Sequence, residues 1–321
     1  MPQLGYFFEE LVVLYLIALA GYISKKSRIF SNEADIILTQ IILYITLPAL
    51  ILFSLDFPFS TSVLLDFFIL IFLSVFSLCM ACIIAYIISK KSKLCPKRKG
   101  VFQGLIIFGN QGFLGYAICQ VLFQEEGIMY AAIFNLFYLV LIWTYGIYII
   151  ANNMLEFSWK MIILNPGTIA TSIGMIMFFL PVGWPETISY FFKTLGMPTT
   201  PLSMLLIGSI VADLDIKKAL EMCKDKYIWI VVFIKLLLNP LFIILIGFLN
   251  AKYALFNINF TALSVAVLVA AMPSAPTISL YAKKYESDVI YASIGVCVTT
   301  LLLPLTLPVL YWLLNLFYTY C

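Results

Sequence analysis

Long apolar runs separated by short polar loops fill this chain almost from end to end. Ten runs can be drawn, over residues 6–24, 34–55, 63–89, 101–123, 128–151, 162–181, 199–216, 227–249, 258–282 and 288–317. A helix needs about 20 apolar residues to cross the hydrocarbon of a bilayer. The third, fourth, ninth and tenth runs are longer and must tilt, bend or break. The pattern predicts an all-α polytopic membrane protein with ten transmembrane helices.

Helix-breaking residues interrupt two of these runs in the middle. Span four contains GNQG at 109–112, and span nine contains AMPSAP at 271–276. Glycine weakens a helix through its flexibility, and proline lacks the N–H group that a helix needs. The predicted break residues are Gly109, Gly112, Pro273 and Pro276. Unpaired backbone in a bilayer costs several kcal/mol per group, and paired breaks of this kind indicate the binding site of a transporter.

Composition and charge agree with this count of spans. The chain is 63% hydrophobic and 11% charged, whereas a soluble domain carries about a quarter charged residues. With the N-terminus outside, the predicted inner loops hold sixteen Lys and Arg residues, and the outer loops hold only Lys193 and Lys252. Basic residues concentrate in short cytoplasmic loops. We therefore predict a plasma (bacterial inner) membrane protein with both termini extracytoplasmic.

Two parts of the sequence match each other at a constant offset. YAAI at 130–133 and YASI at 291–294 follow the two interruptions and lie 161 residues apart, and the same shift carries Gly112 onto Pro273. With five spans in each half, the halves would insert in opposite orientations, as in many secondary transporters. We predict two inverted five-helix repeats, over residues 1–151 and 162–321, with a short cytoplasmic linker at 152–161.

Five stretches resemble the auxin efflux carrier family, which includes the plant PIN proteins and bacterial carriers of malate and similar organic acids. They are ITLPALILF in span two, GNQGFLGYAI in span four, LNPGTIATSIG in span six, KLLLNP in span eight and MPSAPTISLYAKKY in span nine. The resemblance covers essentially the whole chain. The long plant PIN proteins have a large hydrophilic loop after span five, where this chain has only about a dozen residues. The chain is therefore similar to a bacterial-type member.

The resemblance implies the fold shared with the bile acid:sodium symporters. In that fold, helices 1, 2, 6 and 7 form a scaffold domain. Helices 3–5 and 8–10 form a transport domain in which the broken helices four and nine cross at mid-membrane. The resemblance also implies transport of an organic anion, a carboxylate such as malate or an auxin-like acid, by elevator-type alternating access. Homodimers are the family precedent, and the coupling ion, proton or sodium, is left undetermined.

Residues at the two breaks are the first candidates for substrate binding. The second half of each broken helix would begin at mid-membrane with free N–H groups, which attract an anion. The candidates are Asn110, Gln111, Gly112, Pro273 and Ser274, of which the two amides and the serine hydroxyl would contact a carboxylate. The alternative is that the glycines permit close helix packing and the prolines only kink the helices.

Lys235 is the only basic residue well inside a predicted span. A charge at the bilayer centre costs at least about 2.5 kcal/mol and is a functional candidate by default. Facing the interior, Lys235 would attract an anionic substrate or act as an internal cation that substitutes for a coupling ion. The alternative is that it snorkels to an interface. Asn239 lies four residues later on the same helix face, beside Pro240, and is a further candidate.

Other polar residues in the spans are candidates for lining a cavity, namely Thr46, Tyr116, Asn135 and Tyr281. Each is equally well explained as an interhelical hydrogen bonder or an interfacial aromatic residue. Asp66 and Asp213 are expected at the membrane interfaces, and no central acidic pair indicates a proton or sodium site.

Other functional classes have less support. The chain has no histidine, and its seven cysteines are scattered, so neither a metal site nor a cofactor is predicted. An integral-membrane lipid-modifying enzyme would need clustered acids, histidine or cysteine at a membrane face, where this chain has lysine-rich loops. An anion channel or uniporter on the same fold is the stronger alternative. The predicted partners are a small organic anion and the lipid bilayer, without nucleic acid.

Overall fold

The computed structural model describes residues 4–56, 61–151, 164, 166–180, 183–213, 221, 224–253 and 258–320. In this part of the chain the regular structure is helical, apart from one bridge between two residues. The all-α class predicted from the sequence is therefore confirmed. The predicted linker at 152–161 lies outside the described residues.

The described α-helices follow one another along the chain with short connections. Those of the first half are α1 (Leu4–Lys26), α2 (Asn32–Ile41), α3 (Leu47–Ser54), α4 (Thr61–Lys91), α5 (Pro96–Ile107), α6 (Tyr116–Phe134), α7 (Leu136–Leu141) and α8 (Ile147–Ile150). Those of the second half are α9 (Pro166–Phe179), α10 (Glu186–Gly196), α11 (Thr199–Ala212), α12 (Lys226–Phe233), α13 (Asn239–Tyr253), α14 (Phe260–Ala270), α15 (Pro276–Lys284) and α16 (Val289–Tyr320).

Two π-helical turns in the described residues are explained by proline. Ile42–Thr46 joins α2 to α3 and Ile234–Leu238 joins α12 to α13, and each turn begins six residues before a proline, Pro48 or Pro240. A proline ring clashes with the carbonyl four residues before it, and the wider π turn relieves this clash while the helix continues. Both prolines therefore widen the helix locally and do not break it.

Five helical stretches of the described chain are long and apolar enough to cross a membrane. They are Glu33–Phe53, Leu64–Lys91, Glu186–Ala212, Lys226–Tyr253 and Val289–Leu316. Tyr116–Phe134 with Leu136–Ile150 forms a sixth, bent by 45°. These lengths and compositions are those of an integral membrane protein. The count of ten spans and the two inverted repeats stay predictions.

Helices α1 and α11 pack with their backbones almost in contact. A Cβ atom on Gly21 would overlap the Leu205 carbonyl oxygen, and one on Gly208 would overlap the Ala18 carbonyl oxygen. Small residues allow membrane helices to approach this closely, which increases their van der Waals contact. In addition, α9 and α10 pack on α3, and α11 packs on α2. We call this set, α1–α3 with α9–α11, the scaffold group.

The remaining helices form a second set, which we call the transport group. In it α6 packs on α14, α4 packs on α5, and α15 packs on α16. Its core is largely apolar, with residues such as Phe102, Phe134 and Val267 fully buried. The transport group contains both interruptions that the sequence predicts.

We expect Gly21→Val to destabilise the protein, because its side chain would overlap the Leu205 carbonyl and push α1 away from α11. Overpacking of this kind costs about 1–3 kcal/mol, which should lower the melting temperature of the purified protein by several degrees. Leu19→Val is the matched control, since Leu19 lies on the same helix and is 50% exposed. Equal melting temperatures for the two variants would contradict the close packing of these helices.

Candidate functional site at the crossing of two interrupted helices

The chain leaves the helical conformation at both predicted interruptions. α5 ends at Ile107, and Phe108 has extended backbone dihedrals. A π turn at Gln111–Gly115 then restarts the helix and continues into α6. α14 ends at Ala270, and α15 starts at Pro276. Each apolar run therefore consists of two half-helices, α5 with α6 and α14 with α15.

The two interruptions pair with each other through their backbones. Gly109 and Ser274 form an antiparallel bridge. The Asn110 N–H donates to the Pro273 carbonyl at 2.6 Å, and the Ala275 N–H donates to the carbonyl preceding Gly109 at 3.0 Å. Backbone groups that lose their helical partners must find others when they are buried. Here each break supplies the partners of the other.

Side chains from neighbouring helices hold this crossing in place. The Tyr138 hydroxyl donates to the Gly109 carbonyl at 2.7 Å. The Ser274 hydroxyl donates to the Leu105 carbonyl at 2.7 Å, and the Ser274 N–H donates to Thr299 Oγ1 at 3.1 Å. Ser274 is fully buried and does not line the cavity beside the crossing. Its hydroxyl therefore stabilises the crossing and does not face this cavity.

A cavity of about 510 Å³ lies beside the crossing, between the scaffold and transport groups. The scaffold group contributes residues of α2, α3, α9 and α11, and the transport group contributes residues of α6, α7, α15, α16 and the first break. Most of the lining is apolar, including Leu43, Leu47, Leu139, Leu206 and Ile207. The cavity therefore resembles a small-molecule site, with a mostly apolar wall and a set of polar side chains.

Three of the predicted residues belong to the cavity lining and have polar side chains with few protein partners. Asn110, Tyr116 and Asn135 are buried and line the cavity. Their side-chain amides and hydroxyl make no hydrogen bond of ordinary geometry within the described part of the chain, although Tyr116 lies beside Asn135. An unsatisfied buried polar group costs about 1–3 kcal/mol. The three side chains can therefore hydrogen-bond a bound molecule. Gly112 and Tyr281 also line the cavity.

The N-terminal end of α15 faces the same cavity. Ala275, Pro276 and Thr277 line the cavity where this helix begins, and no side chain caps its end. A helix N-terminus carries about half a positive elementary charge. The described lining contains no lysine or arginine, and its only acidic residue, Asp35, pairs with Lys25 at 2.5 Å. The helix end therefore adds positive potential at a place in the cavity where the described lining has no basic side chain.

Lys235 lies behind the crossing and does not line the cavity. Its side chain is fully buried, and Nζ donates to the Ile107 carbonyl at 3.4 Å. A Cβ atom on Gly109 would lie 2.9 Å from Nζ and 3.2 Å from the Met272 carbonyl oxygen. No carboxylate of the described residues forms an ion pair with Lys235. Lys235 thus faces the protein interior at the point where α5 and α14 end, and does not reach the cavity.

The other predicted site residues are buried away from the cavity. Asn239 Oδ1 accepts a hydrogen bond from Ser77 Oγ at 3.0 Å. Gln111 and Thr46 are buried and are not lining residues, and Pro273 contributes its carbonyl to the crossing. These residues support the architecture of the site and make no contact with the cavity.

The structure adds cavity residues that the sequence alone does not single out. Asp35 is held by Ser209 Oγ, which donates to it at 2.5 Å, and by Lys25. Lys25 also pairs with Asp213 at 3.1 Å, and Asp213 is half-exposed. An acidic residue in the first turn of an apolar span can be recognised in the sequence. Its partners Lys25 and Ser209, however, lie 10 and 174 residues away. The pairing therefore becomes visible only in the folded chain.

Asp66, which the sequence predicts at a membrane interface, is buried inside the protein. Asp66 is 3% exposed. Its carboxylate accepts hydrogen bonds from the Tyr130 hydroxyl and from the Asn259 N–H, both at 2.9 Å. The Asn259 side-chain amide in turn donates to Glu126 at 3.2 Å. Burial is possible because two donors replace the hydration of the carboxylate, and both come from distant parts of the chain.

Comparison with known proteins assigns the chain to a family. A family model described as membrane transport protein matches residues 6–153 and 150–311. An uncharacterized transporter of Methanocaldococcus jannaschii is 25% identical over 323 residues, which cover 95% of this chain and 98% of that protein. An uncharacterized transporter of Methanothermobacter thermautotrophicus is 25% identical over 310 residues, covering 94% and 96%.

A plant protein matches half of the chain. Auxin efflux carrier component 8 of Arabidopsis thaliana is 30% identical over 164 residues, which cover 50% of this chain and 42% of that protein. The three relatives are named as transporters or carriers, and none as an enzyme. Because the family model matches nearly the whole chain, the protein belongs to the membrane transport protein family, which includes the auxin efflux carriers.

Proposed function

We propose that the protein is a secondary transporter that binds an organic anion in the cavity beside the crossing. The observation that carries the proposal is the arrangement of unsatisfied side chains, Asn110, Tyr116 and Asn135, in the same cavity as the uncapped N-terminal end of α15. Amide N–H and hydroxyl groups donate to a carboxylate, and the helix end adds a favourable potential. A bound carboxylate would thus give the Asn110 amide a hydrogen-bond partner that the described residues of the protein do not supply.

The directions of the half-helices favour an anion over a cation. The N-terminal end of α15 faces the cavity, as do Asn110 and Gly112 at the start of the second half of span four. The C-terminal ends of α5 and α14 lie at Lys235 instead. Each helix end carries about half an elementary charge. The ammonium group therefore compensates the negative ends, and the positive ends are left for a ligand.

The apolar wall of the cavity favours a substrate with one carboxylate and an apolar body. Leu43, Leu139 and Ile207 are typical of the lining. A dicarboxylate such as malate would bring a second charge into a cavity whose described lining contains no lysine or arginine, and an unpaired buried charge is costly. An auxin-like acid avoids that cost. The name of the Arabidopsis relative, an auxin efflux carrier, supports the same class.

Contacts between the two groups of helices support alternating access. On one side of the interface, α6 is joined to the scaffold group by Glu125 and Lys193 at 2.8 Å and by the Thr200 hydroxyl, which donates to Gln120 at 2.6 Å. The cavity extends the other way, toward the Lys25 end of α1. In the predicted topology Lys193 is outside and Lys25 is inside. The cavity would therefore face the cytoplasm, and an elevator movement of the transport group would break the outer contacts.

Two polar clusters support the inverted repeats. The first is formed by Asp66, Tyr130 and Asn259. The second is formed by Asp225, Tyr291, Arg98 and Asp288. The Arg98 guanidinium lies 2.8 Å from the Asp288 carboxylate, 3.8 Å from the Asp225 carboxylate and 4.9 Å from the Tyr291 ring. The tyrosines of the two clusters are 161 residues apart, as are Asn259 and Arg98, and Asp66 and Asp225 are 159 apart. A shared ancestor of the two halves accounts for this correspondence.

We expect Asn135→Ala and Asn110→Ala to weaken carboxylate binding about tenfold or more, because a hydrogen bond to a charged group contributes about 1.5–3 kcal/mol. Binding is measured by thermal shift or isothermal titration on the purified protein, against a panel of aromatic monocarboxylates and aliphatic dicarboxylates. The monocarboxylates should bind more tightly. Asn315→Ala is the matched control, since Asn315 bonds the Tyr311 carbonyl and is not a lining residue. Equal affinities for all three variants would remove the cavity as the binding site.

We expect a crosslink between positions 120 and 200 to stop transport, because it would fix α6 to α11. Gln120→Cys/Thr200→Cys is prepared with the native cysteines replaced, reconstituted into liposomes, and treated with a short bifunctional thiol reagent. Substrate counterflow should fall to background, whereas each single-cysteine variant should keep its activity. Flux that continues unchanged through the crosslinked protein would favour a channel, which requires no relative movement of the two groups.

A further inference from the structure

We infer that Lys235 is a resident cation that takes the place of a coupling sodium ion, so that the protein works without sodium. The inference rests on the proposed function for its link to transport, but the structural assignment stands on the surroundings of the ammonium group. Those surroundings are the ends of two half-helices, a set of backbone carbonyls and the backbone crossing.

The position of Lys235 is one that a metal cation would also favour. Nζ donates to the Ile107 carbonyl at the C-terminal end of α5. The Met272 carbonyl, just after the end of α14, flanks Gly109 as Nζ does: a Cβ atom on Gly109 would lie 3.2 Å from this oxygen and 2.9 Å from Nζ. Two negative helix ends therefore converge on one ammonium group. In secondary transporters, half-helix C-termini and unwound carbonyls of this kind coordinate the coupling cation.

The absence of a counter-charge strengthens this assignment. Lys235 is 0% exposed and has no carboxylate partner among the residues that the structure describes. The partial charges of the helix ends and carbonyls are thus the main compensation for its charge. A sodium ion at a site with carbonyl ligands would have the same kind of environment. In this chain the positive charge belongs to the Lys235 side chain and not to a bound ion.

Local backbone geometry explains how Lys235 reaches this place. It lies in the π turn Ile234–Leu238 that precedes Pro240. A π turn adds one residue to the helical turn and often marks a functional site. Gly109 leaves the necessary space, because a Cβ atom there would lie 2.9 Å from Nζ. A side chain at position 109 and an ammonium group behind the crossing would therefore compete for the same volume.

The test compares the melting temperature of the full-length purified protein in sodium, potassium and choline chloride at equal ionic strength, without substrate. The native protein should melt at the same temperature in all three salts. Lys235→Asn replaces the ammonium with a carbonyl ligand, so it should melt lower in choline and recover by several degrees in sodium, as expected for a ligand that binds only the folded state. Lys252→Asn, an exposed lysine on α13, is the control and should show no sodium effect.

Two results would overturn the inference. The first is a sodium-specific stabilisation of the native protein, which would show that the folded protein still binds sodium although Lys235 is present. This measurement needs no variant, so it decides the question even if Lys235→Asn does not fold. The second is a folded Lys235→Asn that responds equally to all three salts. Because no substrate is present, a failure of carboxylate binding would remove the proposed function and leave this result unaffected.

Discussion

The backbone pairing of Gly109 with Ser274 is the constraint on which the rest of the structure depends. Interrupting two buried helices frees N–H and C=O groups, each of which costs several kcal/mol when it has no partner in a membrane. Hydrogen bonds across the crossing satisfy part of this demand. They also fix the direction of four half-helices with respect to one another. The sites for a ligand and for Lys235 follow from those directions.

The crossing separates two kinds of charge. On one side the helix C-termini meet a lysine ammonium group, and on the other an uncapped N-terminus faces an apolar cavity with unsatisfied amides. A cavity of this kind would bind a carboxylate through partial charges and hydrogen bonds, without an ion pair. Such binding is weaker than that of a buried salt bridge, and a carrier must release its substrate on the far side. The apolar wall would then select the body of the substrate.

Much of this site could be predicted from the sequence because its signals are local. Gly109 and Pro273 within apolar runs indicate interrupted helices, and Lys235 stands out as a charge inside a span. What could not be predicted depends on contacts between distant segments. The burial of Asp66 requires donors 64 and 193 residues away. Whether Lys235 lies in the cavity or behind the crossing depends on how α12 and α13 pack, which no local pattern specifies.

The most direct test of the account is a cryo-EM structure of the protein with the carboxylate that stabilises it most. The account predicts the carboxylate within hydrogen-bonding distance of the Asn110 amide and the first turn of α15, with Gly109 still paired to Ser274. A carboxylate bound away from the crossing would contradict the proposed site. Continuous helices through residues 107–111 and 271–276 would contradict the architecture on which that site is built.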